Sequence, residues 1–214
     1  MKPFRIIVMA VVGLAIAGCS SVDTATRNAP AQTATSGAVP AHQLSYNIQD
    51  VRVSVPKSLT VSEANLYLPK ADIVWREDAP GDRHAQVQAI FQEAMTRGVS
   101  GLPQGTVPVV MDIQVTRFHA LTEKARYTVG GVHDMEFLLI LRHPETGQML
   151  NTPHKVTADL KAFGGRAALE AEARGETQKV RITDHLAKVI RTELTSQEGY
   201  KAPKHGVLGF LNSI

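Results

Sequence analysis

Hydrophobic and polar residues alternate along four stretches of this 214-residue chain and repeat at helical spacing along two. Val51, Val53 and Val55 alternate with Asp50, Arg52 and Ser54, which predicts a half-buried strand ended by Pro56. A short apolar run, Ala71 to Trp75, predicts a second strand. After Pro80-Gly81-Asp82 the period changes. Val87, Ile90, Phe91, Ala94 and Met95 form one helical stripe, Gln86, Gln88, Gln92 and Glu93 form the opposite side, and Gly98 is read as the helix stop.

The clearest strand runs from Val107 to Val115, with Val107, Val109, Met111, Ile113 and Val115 on one face. Beyond Val115 the parity inverts, since Arg117 and His119 continue the apolar face while Phe118 falls opposite, so the strand either bulges or runs past the core edge. His133 to Arg142 turns Met135, Phe137, Leu139 and Leu141 inward. Pro144-Glu145-Thr146-Gly147 supplies hairpin chemistry, and Val156, Ala158, Leu160 and Ala162 alternate on a returning strand. Arg166 to Thr195 carries Ile182, Leu186, Val189, Ile190 and Leu194 at helical spacing, with Gly175 as a point of splitting or kinking. The order β, β, α, β, β, β, α predicts an α+β fold: an antiparallel sheet of about four to five strands with two main helices packed on one face.

The first residues follow a different logic. Lys2 and Arg5 precede an uncharged apolar stretch, Ile6 to Ala17, of 12 residues, too short for the ~20 residues of a spanning helix and suited to a secretory signal. It ends in Ile16-Ala17-Gly18-Cys19, and Cys19 is the only cysteine of the chain. This run resembles the lipobox of bacterial lipoprotein precursors. The resemblance implies cleavage between Gly18 and Cys19 and lipidation of Cys19, anchoring the chain by more than one acyl group. Ser20 and Ser21 replace the aspartate that in this family favours inner-membrane retention, so the resemblance implies the outer membrane, facing the periplasm. Residues 20–43 follow, 16 of these 24 residues being Ser, Thr, Ala, Pro or Gly. Such a segment predicts a flexible tether reaching about 25–30 Å. The expected organisation is a signal peptide (1–18), a lipidated terminus and linker (19–44), a periplasmic α+β domain (45–198) and an apolar tail (199–214).

Charge and candidate chemistry narrow the function. The formal charge of +3 rests on 23 Lys+Arg against 20 Asp+Glu, and removal of residues 1–18 takes away Lys2 and Arg5. So even a balance gives no footprint for nucleic acid. The eight histidines, His42, His84, His119, His133, His143, His154, His185 and His205, show no metal-ligand spacing; the one pair that a hairpin could bring together, as an expectation, is His119 with His133, near Asp134. Gly98-Val99-Ser100-Gly101-Leu102 misses the nucleophile-elbow pattern by one place, and Gly130-Gly131 lacks the context of a phosphate loop and reads as a turn or bulge. No cofactor, metal or catalytic residue is expected.

Arg117-Phe118, Ala125-Arg126-Tyr127, Gly130-Gly131 and Thr146-Gly147 together resemble the central hairpin of uncharacterised bacterial lipoproteins classed as domains of unknown function, over roughly Val107 to Leu150. That resemblance implies a small α+β periplasmic domain and no particular activity. Within it, Arg117, Lys124 and Arg126 are candidates for a cationic partner-binding patch, the alternative being a solvated hairpin tip. In the tail, Val207, Leu208, Phe210, Leu211 and Ile214 form an apolar stripe too short to stand alone as a helix. It is expected to dock on its own domain, on a partner, or on the membrane with Lys201 and Lys204 at the headgroups. The overall expectation is a non-enzymatic binding or envelope-assembly module, held on the membrane by its lipid anchor and contacting an envelope protein. The alternatives are an auxiliary lipoprotein of a transport complex, marked by an apolar channel between sheet and helices, and an envelope hydrolase, marked by convergence of Asp112 with Glu136 or Asp134.

Overall fold

The computed structural model describes residues 46–203. Gly18, Cys19, the linker, and Val207, Phe210 and Leu211 of the tail lie outside the described residues. The elements are β1 (Tyr46–Ser54), β2 (Ile73–Val74), α1 (Arg83–Val99), β3 (Val107–His119), α2 (Glu123–Arg126), β4 (Gly131–Arg142), β5 (His154–Thr157), β6 (Leu160–Ala162), α3 (Gly165–Ala173) and α4 (Gln178–Thr195). They form a mixed α+β fold around one six-stranded sheet of order β1-β3-β4-β5, with β2 pairing β3 and β6 pairing β4.

The sheet is not wholly antiparallel. β3, β4, β5 and β6 pair antiparallel as their turn chemistry predicts, but β1 and β2 both run parallel to β3. The reason is the crossover: α1 lies between β1 and β3, and a strand that returns after a helix packed on the sheet enters from the same end. β1 is therefore an edge strand. The Gln88 and Gln92 side chains, expected to face water, each donate a 2.9 Å hydrogen bond to the β1 carbonyls of Val53 and Val51, occupying positions that a neighbouring strand would fill.

The parity inversion in β3 is a bulge. Val115 pairs with Phe137 and Arg117 with Glu136, leaving Thr116 extra. The added residue turns Phe118 to the core, where Trp75, Phe118, Phe91 and Phe137 form a chain of edge-to-face contacts at 5.6, 6.0 and 5.8 Å. It turns Arg117 and His119 to the other face of the sheet.

The returning strand expected over Val156–Ala162 breaks at Ala158-Asp159 into β5 and β6, which pair with different parts of β4. The long helix splits at Gly175, whose φ of +80° ends α3. α4 then starts afresh at Thr177, whose side chain caps the Val180 N–H. α1 and α4 cover one face of the sheet and cross at Gly98. This glycine lies inside the last turn of α1 rather than after it, because a Cβ there would sit 2.7 Å from the Ala187 oxygen and against Ile190. Tyr200, in the segment expected as tail, packs against the core, and its N–H donates to Glu193 at 2.7 Å.

Candidate functional site

Ser54 ends β1, and the chain needs a loop before it can add β2 beside Phe118 and His119. That loop closes on itself. Thr60 N–H and Oγ1 both donate to Asp72 Oδ2, at 2.8 and 2.7 Å, and the Asp72 and Ile73 N–H groups return bonds to the Thr60 carbonyl at 3.1 and 2.9 Å. The two hydrogen bonds from Thr60 hold the Asp72 carboxyl below its ordinary pKa. Residues 61–71 thus form an Ω-loop with a hydrogen-bonded neck.

The loop is also pinned from beneath. His119 Nε2 lies 2.9 Å from the Pro69 carbonyl, Thr122 Oγ1 donates to the Leu66 carbonyl at 2.7 Å, and Lys124 N–H donates to Asn65 Oδ1 at 2.8 Å. Arg76 donates to the Glu63 carbonyl and pairs with Glu123 at 2.5 Å. The buried Arg83 holds the Glu63 carboxylate at 2.7 Å, and its hydrogen bond is the main cause of that carboxyl's lowered pKa. With its backbone fixed in this way, the loop presents Leu66, Tyr67 and Leu68 to solvent at 53%, 45% and 73% exposure. Lys124 Nζ stands 4.7 Å from the centre of the Tyr67 ring.

Between this loop and the outer face of the sheet lies a groove of about 680 Å³. Leu68, Leu121, Val129 and Val132 supply apolar lining, while Arg117 and Asp134 form an ion pair within it. Lys70 stands exposed at its rim. A second depression, about 340 Å³ between β1 and the C-terminal half of α1, leads to the start of the described chain. The polar groups of the larger groove are committed to one another: Arg117 to Asp134, His119 to Pro69, Asp72 to Thr60. This arrangement suits recognition of a surface or segment that is apolar with a charged margin.

Of the expected site residues, Arg117 lines this groove and Lys124 stands over Tyr67 at the loop. Arg126 does not join them. Its guanidinium turns inward and bridges Glu77 at 3.1 Å and Glu172 at 2.6 Å, with 11% of the side chain exposed. The three cations therefore form no common patch, because Arg126 is neutralised inside and Arg117 is neutralised by Asp134. His119 and His133 project to opposite faces. His133 is buried behind the sheet, its Nδ1 accepting from the Leu121 N–H at 3.4 Å and its pKa pushed down to about 3 by burial and then by the charges of Arg181, Arg126 and His185.

Asp112 pairs with Arg142 at 2.7 Å, Glu136 with Lys155 at 2.9 Å and Asp134 with Arg117, so each carboxylate has a cation of its own. Among the described residues, no group of three or more His, Cys, Asp or Glu side chains is placed to hold a metal ion, and no helix is long and apolar enough to cross a membrane. Leu66-Tyr67-Leu68 is not among the expected site residues, because the run is aperiodic. Its signal is three large apolar residues in a row between Asn65 and Pro69, a context that reads as loop.

Residues 46–210 match a family described as "Family of unknown function (DUF6778)". No curated protein matches the chain. A solved structure titled "Crystal structure of uncharacterized protein" aligns at 16% identity and a TM-score of 0.31, covering 69% of this chain and 92% of that one.

Proposed function

This chain belongs to DUF6778, and we propose that it is a non-enzymatic envelope accessory module, tethered through lipidated Cys19 to the periplasmic side of the outer membrane. Its recognition surface is the groove beside the Ω-loop. The observation that carries this reading is the loop itself: the Thr60–Asp72 neck and bonds from His119, Thr122, Lys124 and Arg76 hold a loop whose three largest apolar side chains remain in water. Burying each would be worth about 1.5–3 kcal/mol, so their exposure implies a contact made outside the domain. The Ser-, Thr- and Ala-rich composition of residues 20–43 supports the reach that such a contact needs. The volume and apolar lining of the groove support, as a second reading, an auxiliary lipoprotein of a transport complex; its groove lies outside the sheet rather than between sheet and helices.

Cells expressing the chain with Cys19→Ala and fed labelled palmitate test the anchor. The variant is expected to lose the label and to leave the membrane fraction. If it stays labelled and membrane-bound as the unaltered chain does, the lipoprotein reading is wrong.

A further inference from the structure

The exposed loop and its lysines point to a definite occupant, and we infer that the 61–71 Ω-loop docks on an anionic phospholipid surface. This deepens the envelope-module reading and rests on it for the side of the membrane, though the contact itself does not require Cys19.

Three observations converge. First, Leu66, Tyr67 and Leu68 project together from a backbone fixed by bonds from Thr122, Lys124 and His119, so they enter an apolar phase with little further loss of backbone freedom. Second, the aromatic residue of the three is tyrosine, whose ring is apolar and whose hydroxyl is polar, the combination favoured at the headgroup level. Third, the cations beside the apolar tip are the unpaired ones. Arg76, Arg83 and Arg117, lying below the loop or in the groove, each have an acidic partner. Lys70 is exposed, and Lys124 has its ammonium over the Tyr67 ring; neither has an acidic partner among the described residues. A protein partner with an apolar pocket would use the first observation alone. The pairing of an apolar tip with two flanking lysines, whose stems can lie along apolar surface while their ammonium groups stay wet, fits acyl chains below and anionic headgroups beside them.

The test places an environment-sensitive fluorophore (NBD) on Leu68→Cys in the full chain carrying Cys19→Ser, with a second preparation labelled at Glu145→Cys on the β4–β5 turn as control. Vesicles are phosphatidylethanolamine with 30% phosphatidylglycerol, or phosphatidylcholine alone. The expected result is a blue shift and protection from iodide at position 68, with anionic vesicles only, and neither change at position 145. Lys70→Gln together with Lys124→Gln is expected to lower partition on the order of tenfold. No shift at 68 while the chain co-sediments with the vesicles would overturn the proposal, since attachment would then come from elsewhere in the chain. An equal shift at both positions, or an in-cell photocrosslink from position 68 to a protein rather than to lipid, would overturn it too. None of these outcomes bears on Cys19, whose palmitate label reports separately.

Discussion

Gly164 and Gly130 touch backbone to backbone: a Cβ on Gly164 would lie 2.5 Å from the Gly130 Cα and against its nitrogen. The contact joins the start of β4 to the chain leaving β6, where Gly131 pairs with Ala162, and Gly130 needs its φ of +74° to make the turn. Gly164→Ala is therefore expected to cost about 3 kcal/mol, because backbone on both sides must move. Gly147→Ala is the comparison. It has a φ of +69° with nothing within 4 Å of its Cβ position, so it should cost only about 1 kcal/mol of backbone strain. Urea midpoints of the two variants measure the difference, and a loss at Gly164 no larger than that at Gly147 would refute the backbone contact as the reason for glycine at 164, whose own φ of -131° any residue can adopt.

Gly98 makes the equivalent approach between helices. Alanine in a helix interior gains about 1 kcal/mol over glycine, yet here the Cβ meets both Ile190 and the Ala187 carbonyl. The clash is the larger effect, and Gly98→Ala should lower stability by about 2 kcal/mol. Trimming Ile190 to alanine in the same chain should not restore it, since the Ala187 oxygen is backbone. Thermal denaturation of the single and double variants checks this, and recovery in the double variant would refute the backbone clash.

Both glycine contacts explain what could and could not be read along the chain. Alternation fixes the faces of β3 and β4, and even their fault: the inverted parity after Val115 is the bulge at Thr116. Periodicity likewise exposes the stripes of α1 and α4. Direction of pairing is different in kind, because the parallel register joins Val53 to Ile113, sixty residues further along the chain, and leaves no local pattern. The same holds for Gly98 and Gly164, whose partners are distant in sequence. In the groove, Arg117 was legible from the parity fault, but Arg126 was misread because Glu77 and Glu172, which neutralise it, come from two other segments. Leu66-Tyr67-Leu68 has no period at all. Its exposure follows from bonds made by Thr122 and Lys124.

The buried His133 gives the fold a pH dependence with a definite sign. Its folded pKa of about 3 lies below the ordinary 6.5, so below pH 6.5 the unfolded chain binds a proton that the folded chain refuses. Its contribution is complete above that pH and is lost progressively as pH falls toward 3. At pH 5 the loss amounts to about 2 kcal/mol relative to pH 8. His185, also depressed by burial, adds in the same direction. In His133→Gln the stability difference between pH 8 and pH 5, measured by urea denaturation, should shrink by about that amount. An unchanged difference would mean that His133 takes up its proton inside the fold.

Recognition by the Ω-loop and stability separate at Leu66 and Leu68. Both side chains are more than half exposed, so Leu66→Ser with Leu68→Ser should leave stability within about 0.5 kcal/mol while abolishing the partition of the Ω-loop onto anionic vesicles. Coincident loss of melting temperature would place these side chains in the core of the folded state and remove the reason for assigning them to recognition.

Arg126 should behave in the opposite way. Its guanidinium is shared by Glu77 and Glu172, and Glu77 also accepts the Lys179 N–H at 3.2 Å, so this one cation links the segment after β2, α2, α3 and the start of α4. Replacement by alanine leaves two mostly covered carboxylates facing each other, a loss of about 3–5 kcal/mol for a pair broken from one side. Arg126→Lys should recover only part of it, because a single ammonium cannot present the planar fork that reaches both acids. Adding Glu172→Gln to Arg126→Ala removes one of the stranded charges and should return about half of the loss. With Glu172→Gln alone as the fourth corner, the denaturation midpoints of the unaltered chain, Arg126→Ala and the double variant form a cycle whose coupling term is the prediction: a value near zero would mean that Arg126 acts independently of Glu172 and would restore it as a surface cation.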